Sequence, residues 1–225
     1  RHHGVDCKGV AGVQAGQTRC AVVLVDKNGE RCIVAYRKGL PEDAALLPAD
    51  PLDGVGVVLA DSRWPGGAEA VLDRARARGV ISVIDADGGA IAQTQRLVER
   101  ADHIVFSAEG LREFAGDGDP ADQLRKCAAA LPASKVIAVT RGAAGSLWCL
   151  NGMLTSVPAF QVQVADTTGC GDVFHGAYAL GLAERLAPLD AARFASAVAA
   201  IKAQRGRGWD GMPDRQSITA MLAAS

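Results

Sequence analysis

Residues 165–172, Ala165-Asp166-Thr167-Thr168-Gly169-Cys170-Gly171-Asp172, are the stretch of this 225-residue chain best suited to chemistry, and they run straight into VFHGAYALGLAERL. Glycine, small residue, glycine at a strand-to-helix junction leaves several backbone N–H groups unpaired at the positive end of the helix dipole. Such a terminus binds anions. A carboxylate opening the same helix sits where it accepts a proton from a hydroxyl attacking a phosphoryl group held by those N–H groups, which makes Asp172 the candidate general base. A carboxylate suffices as base when the proton leaves late in a loose phosphoryl transfer. A helix N-cap with a flexible turn is the competing account of Gly-Cys-Gly-Asp taken alone. A nucleophilic Cys170 is another, although no His–Cys pairing is evident.

The elements that must position this segment are legible on either side of it. Residues 20–26 (CAVVLVD) and 31–36 (RCIVAY) are β-rich runs, and Asn28-Gly29 between them predicts a hairpin turn. From Val55 short apolar runs alternate with helical stretches: VGVVLAD, a helix over 67–78, VISVIDAD, a helix over 90–100, HIVFSA, a helix over 121–131, then KVIAVT. This alternation predicts an α/β fold with a mainly parallel sheet flanked by helices. The carboxyl ends of its strands should carry the site. SLWCLNGMLTSV predicts a second hairpin turning at Asn151-Gly152, and the last third predicts helices over 173–186 and 191–204, followed by the loop RGRGWDGMP.

Bulk properties narrow the class. Apolar residues make up 49% and charged residues 22%, as in a well-buried interior, while 4% aromatics leave the core to Ala, Val, Leu and Ile. A net charge of −1 gives no general attraction to nucleic acid or to an anionic membrane. Cysteines 7, 20, 32, 127, 149 and 170 form no CxxC pair, which fits a reducing cytoplasm rather than a disulfide framework or zinc site. No apolar run approaches the roughly 20 residues that span a bilayer. Arg1-His2-His3-Gly4 is neither a signal nor a transit peptide and lacks an initiator Met, so the expectation is one domain over 1–225 that begins mid-protein.

DTTGCGD followed by a small-residue helix resembles the DTxGAGD signature of the PfkB carbohydrate kinases. The resemblance implies a ribokinase-like fold with a small β lid, Asp172 as catalytic base, and a backbone anion hole at Gly169, Cys170 and Gly171, with Cys170 where alanine is usual. Val139-Thr140-Arg141-Gly142-Ala143-Ala144-Gly145 resembles the strand-end TxGxxG element that lines nucleotide phosphates, implying ATP contacts at Thr140, Gly142 and Gly145. The helix around 195–202 resembles the one packed on the adenine, implying Ser196, Ala199 and Lys202, though any tightly packed buried helix shows the same pattern. The hairpin over 17–38 resembles the lid strands that cover the sugar and form a homodimer contact. ATP and Mg²⁺ are the implied cofactors and a sugar hydroxymethyl the implied acceptor.

Two departures stand out. The family's opening strand, Gly-Gly sugar element and a sugar-contacting carboxylate are missing. At Ser107-Ala108-Glu109-Gly110 the family shows Asn-x-x-Glu, so metal contacts are expected to run through water, with Asp85 and Asp87 as outer candidates or simple strand-end caps. The metal ligands are otherwise unassigned.

Leu59-Ala60-Asp61-Ser62-Arg63-Trp64, FSAEGL and Asp172-Val173-Phe174-His175-Gly176 together resemble the sulfofructose kinases within this family, which implies Arg63 as a substrate contact. Surface stacking on Trp64 is the competing account of Arg63, and the expected lid asparagine is replaced by Ala35, with Arg37 and Lys38 just beyond. The acceptor is therefore expected to be sulfofructose or another ketose. His175 reads as a proton shuttle or, more simply, as a satisfied buried histidine. A nucleoside kinase of the same fold, short of aromatics for a base sandwich, and a non-catalytic nucleotide-sensing or scaffold domain are the alternatives.

Overall fold

The computed structural model describes residues 4–14, 16–18, 20–25, 31–36, 39–49, 52–206 and 208–224. The predicted Asn28-Gly29 turn, and Arg37 and Lys38, lie outside the described residues.

Strands β1 (Cys20–Val25) and β2 (Arg31–Tyr36) pair antiparallel from Cys20↔Tyr36 to Val25↔Arg31, forming a two-stranded sheet of their own. The rest of the fold alternates. β3 (Val57–Asp61), α1 (Pro65–Arg78), β4 (Ile81–Ala86), α2 (Ile91–Arg100) and β5 (His103–Ser107) come first. They are followed by α3 (Ala108–Ala115), α4 (Pro120–Ala130), β6 (Val136–Thr140), β7 (Ser146–Leu150) and β8 (Met153–Val157). Helices α5 (Cys170–Ala183), α6 (Pro188–Arg205) and α7 (Arg215–Ala223) close the chain. The six central strands lie in sequence order, with β3 to β6 parallel and β6, β7 and β8 antiparallel, so the predicted mainly parallel sheet is present with the second hairpin appended. Asn151 (φ 50°) and Gly152 (φ 78°) make that hairpin turn, both in the left-handed region a tight primed turn requires.

Side chains on a strand alternate between faces, and apolar residues on both faces call for helices on both. Ile84, Ile104, Phe106 and Ile137 pack with Leu72, Leu97, Leu111 and Leu124 from α1 to α4. Their neighbours Val83, Val105 and Ala138 face the other way, onto Phe174, Tyr178, Ala195 and Val198 of α5 and α6. Small residues let α5 and α6 approach closely: a β-carbon at Gly181 would lie 3.0 Å from the Cβ of Ala191. That contact explains how a core with few aromatics stays dense.

Two helices were not expected. Ser107 ends β5 and caps α3, its Oγ accepting from the Gly110 N–H at 2.9 Å. Asp214 caps α7 in the same way, accepting from the Ser217 N–H at 2.8 Å. The helix expected from 173 begins instead at Cys170, which places Asp172 inside its first turn.

Candidate active site

The segment singled out by its residue types folds as a loop clamped at several points. Asp166 Oδ1 accepts from the Thr168 N–H at 2.8 Å, an Asx turn. This bond, helped by the Thr168 hydroxyl and then by Lys202, holds the Asp166 carboxyl below the usual carboxylate range. The Cys170 N–H donates to Thr167 O at 3.1 Å. Gly169 then adopts φ 72°, ψ 8° as the residue before the helix; only glycine enters this left-handed conformation without penalty. The Val173 N–H makes the first full-turn bond, to Gly169 O at 3.0 Å.

Between these bonds, Gly171 and Asp172 have no carbonyl one turn back, so helix geometry leaves their N–H groups for an outside acceptor. A β-carbon at Gly171 would meet nothing within 4 Å. The space beside these donors is open. Asp172 stands in the same turn with an exposed side chain, at the positive end of a 14-residue helix. Cys170 Sγ donates to the carbonyls of Ala199 (3.8 Å) and Asp166 (3.9 Å), pointing toward α6 and the loop.

Behind this turn lies a buried pair. His175, 3% exposed, has Nδ1 at 2.8 Å from Gly171 O and 3.3 Å from Asp85 Oδ2, and Nε2 at 3.2 Å from Val105 O. Walled in by strands β4 and β5, it is a satisfied interior histidine and not a shuttle to solvent. Burial pushes the Asp85 carboxyl up to about 6; the nearby carboxylates of Asp87, Asp172 and Asp61 push the same way, and His175 opposes. Asp85 Oδ1 is buried without a hydrogen-bond partner.

The other expected ligands are placed as follows. Thr140 ends β6, level with Ser107 of β5, and the 142–144 turn beyond it is exposed at the carboxyl edge of the sheet. Gly145 (φ 77°) must be glycine twice over, since a β-carbon there would also lie 2.3 Å from Val157 O. On α6, Ser196 is buried and Ala199 touches Cys170 through its carbonyl. Lys202 is 2% exposed and turned inward, its ammonium donating to Thr168 O. The structure thus gathers residues 169–172, Ala199 and Lys202 around one loop. Arg63 meets Asp87, with Nη2 at 3.2 Å from the carbonyl oxygen and 3.3 Å from Oδ2, while the Trp64 indole N–H donates to Asp43 O at 2.7 Å. Gly110 is pressed onto β4: a β-carbon there would lie 2.1 Å from Ala86 O, so no side chain fits where the related pattern carries glutamate.

Sequence reasoning missed the Asp85–His175 pair and the inward role of Lys202. The available signal for Lys202 was a lone cation on the buried stripe of an Ala-rich helix, a place lysine enters only when paired.

Residues 1–215 match the model of the pfkB family carbohydrate kinases. The Arabidopsis thaliana ribokinase is 26% identical over 236 aligned positions, covering 99% of this chain and 61% of its own length. Fructokinase-1 of Zea mays is 29% identical over 198 positions, covering 79% of this chain and 60% of that protein. The chain therefore spans about three fifths of the length of these relatives. The solved structure of Arabidopsis thaliana ribokinase, complexed with ribose and ATP, superposes with a TM-score of 0.79 at 25% identity, covering 93% of this chain and 70% of that one. Matched by its fold and over nearly all of its length, the chain belongs to the pfkB family of carbohydrate kinases.

Proposed function

We propose that this chain is the catalytic part of an ATP-dependent sugar kinase in which Asp172 takes the proton of an acceptor hydroxymethyl group. The observation that carries this reading is the joint placement of an exposed carboxylate and outward N–H groups in the first turn of α5, next to open space. Donors fixed before reaction stabilise charge that develops on a transferred phosphoryl group without reorganising. Gly169, Cys170 and Gly171 set the backbone of that anion hole. The exposed turn after Thr140, with Gly142 and Gly145, suits the nucleotide phosphates, and the Ser196 and Ala199 face of α6 suits the adenine.

No group of three or more His, Cys, Asp or Glu able to hold a metal occurs among the described residues. The hard carboxylate oxygens of Asp85 and Asp87 would suit Mg²⁺ and would hold it through water, with nucleotide phosphates supplying the other ligands. When bound, the ion would supply charge neutralisation on the phosphates.

We place the acceptor in the ribose and fructose class. Arg63 already pairs with Asp87 through Nη2, which lowers the net charge it offers an anionic group, so the pair favours an uncharged sugar over sulfofructose. The hairpin presents Cys20, Val22, Leu24, Cys32, Val34 and Tyr36 on one face, with Val22, Leu24, Val34 and Tyr36 between 41% and 61% exposed. An exposed apolar face of this kind supports its use as a lid and as a homodimer contact. Six free thiols, two of them exposed on the same hairpin, support a cytoplasmic setting.

The test is Asp172→Asn in the full-length protein, assayed with ribose and fructose. The change keeps shape and removes the base, so turnover should fall by about 10²- to 10⁴-fold. Nucleotide binding should persist. Wild-type turnover in the variant would end the assignment.

A further inference from the structure

Lys202 is among the largest fully buried side chains, on a helix whose other buried residues are mostly alanines. An ammonium leaves water only at large cost unless its protons find oxygen partners. Its partners all belong to one loop: Thr168 O, Asp166 O at 3.5 Å and Asp166 Oδ2 at 3.5 Å. One residue further along α6, Ala203 O accepts from the N–H groups of both Ala165 (2.9 Å) and Asp166 (3.1 Å). The last turn of α6 therefore grips the loop that leads into the first turn of α5.

The direction of this grip matters. In a planar trans peptide the C=O and N–H point opposite ways. Drawing Thr168 O onto the ammonium therefore turns the Gly169 N–H away from Lys202, and drawing Asp166 O onto it does the same for the Thr167 N–H. A cation fixed at this point also adds positive potential just before the helix terminus that is to receive an anion.

Resting on the reading that this turn binds the transferred phosphoryl group, we propose that Lys202 is a positioning residue: a tethered cation that holds residues 166–168 so that the N–H groups of the following turn face the anion. Its ammonium is held on the loop, so it acts on the anion site through the main chain. It does the work that a bound ammonium ion would do in a cage of three oxygens, with the side chain supplying the ion.

The experiment replaces the tether and returns the ion. In the full-length protein, Lys202→Met should lower kcat/KM by about 10- to 100-fold, with kcat sharing the loss, as expected for one charge-assisted contact. Ammonium chloride should restore a several-fold part of the loss where choline chloride at equal ionic strength does not, and the wild type should treat the two salts alike. Amide exchange gives a readout that needs no turnover. The Thr168 and Cys170 N–H groups, both hydrogen-bonded within the loop, should exchange faster in the variant and recover protection in ammonium. Wild-type rates and protection in the variant, or losses of the same size in both salts, would overturn the proposal. Should methionine at 202 unfold the chain, Lys202→Gln, which keeps an N–H donor without the charge, is read by the same two measurements. A wild type that phosphorylates neither ribose nor fructose would count against the kinase reading, while the exchange measurement would still decide the role of Lys202.

Discussion

His175 joins Asp85 across the floor of the candidate site, its Nδ1 3.3 Å from the carboxylate while the same nitrogen lies 2.8 Å from the Gly171 carbonyl. One buried ring thus ties the carboxyl end of β4 to the turn that carries the outward N–H groups. Its other ring nitrogen, Nε2, lies 3.2 Å from the Val105 carbonyl, so the same ring also reaches β5.

Removing that ring should cost more than removing its charge alone. His175→Leu leaves the buried Asp85 carboxylate without its ring partner, and should destabilise the fold by about 3 kcal/mol or more. His175→Asn, which keeps an N–H donor near the Nδ1 position, should recover a large part of that. Urea unfolding midpoints of the two variants measure the difference. Equal losses would mean that the ring packs without positioning Gly171.

Cys170→Ala should leave kcat/KM within a few-fold of wild type. The thiol points at the carbonyls of Ala199 and Asp166, and the anion is offered backbone N–H groups, not sulfur. Complete loss of activity would restore the nucleophile account.

Arg63 and Asp87 form a half-exposed pair, so the charge of the acceptor can be tested there. If the acceptor is uncharged, the wild type should prefer fructose or ribose to sulfofructose, and Asp87→Asn should shift kcat/KM toward the sulfonated sugar by freeing the guanidinium. Comparing the sugars in wild type and variant checks this. A wild type that prefers sulfofructose, and loses about 10- to 150-fold on it in Arg63→Ala, would reverse the substrate assignment.

His103 should make stability depend on pH. Burial holds its pKa down at about 4, with Nδ1 2.7 Å from the Tyr178 hydroxyl oxygen. The unfolded chain, with an ordinary value near 6.5, takes up the proton first as pH falls. Stability is therefore full above about pH 6.5 and declines between 6.5 and 4, by about 3 kcal/mol from this group. His103→Gln can keep a bond to Tyr178 and removes the titration, so the wild type's advantage over the variant should shrink by that amount between pH 7 and pH 4. Parallel pH profiles in chemical denaturation would contradict this.

Most of the frame was legible because β-branched runs, the Asn151-Gly152 turn and Ala-rich stretches are local signals. The α5 start was read three residues late because Gly-Cys-Gly has poor intrinsic helix propensity, and only the surrounding bonds carry the helix back to Cys170. Helix α3 was hidden by its length of eight residues and by a cap that doubles as the last residue of β5. Lys202 was expected at the nucleotide from the resemblance of its helix; its inward contacts were not legible because its partners, Asp166 and Thr168, lie 36 and 34 residues away, a separation that periodicity does not report.

The contact between Gly110 and the Ala86 carbonyl also sets a direction on change. A glutamate cannot be placed here by one substitution, since even its β-carbon would meet the main chain of β4. Helix α3 would first have to retreat from the strand. Position 110 is in that sense a latch: while α3 lies this close to β4, the site must be completed by side chains from other positions.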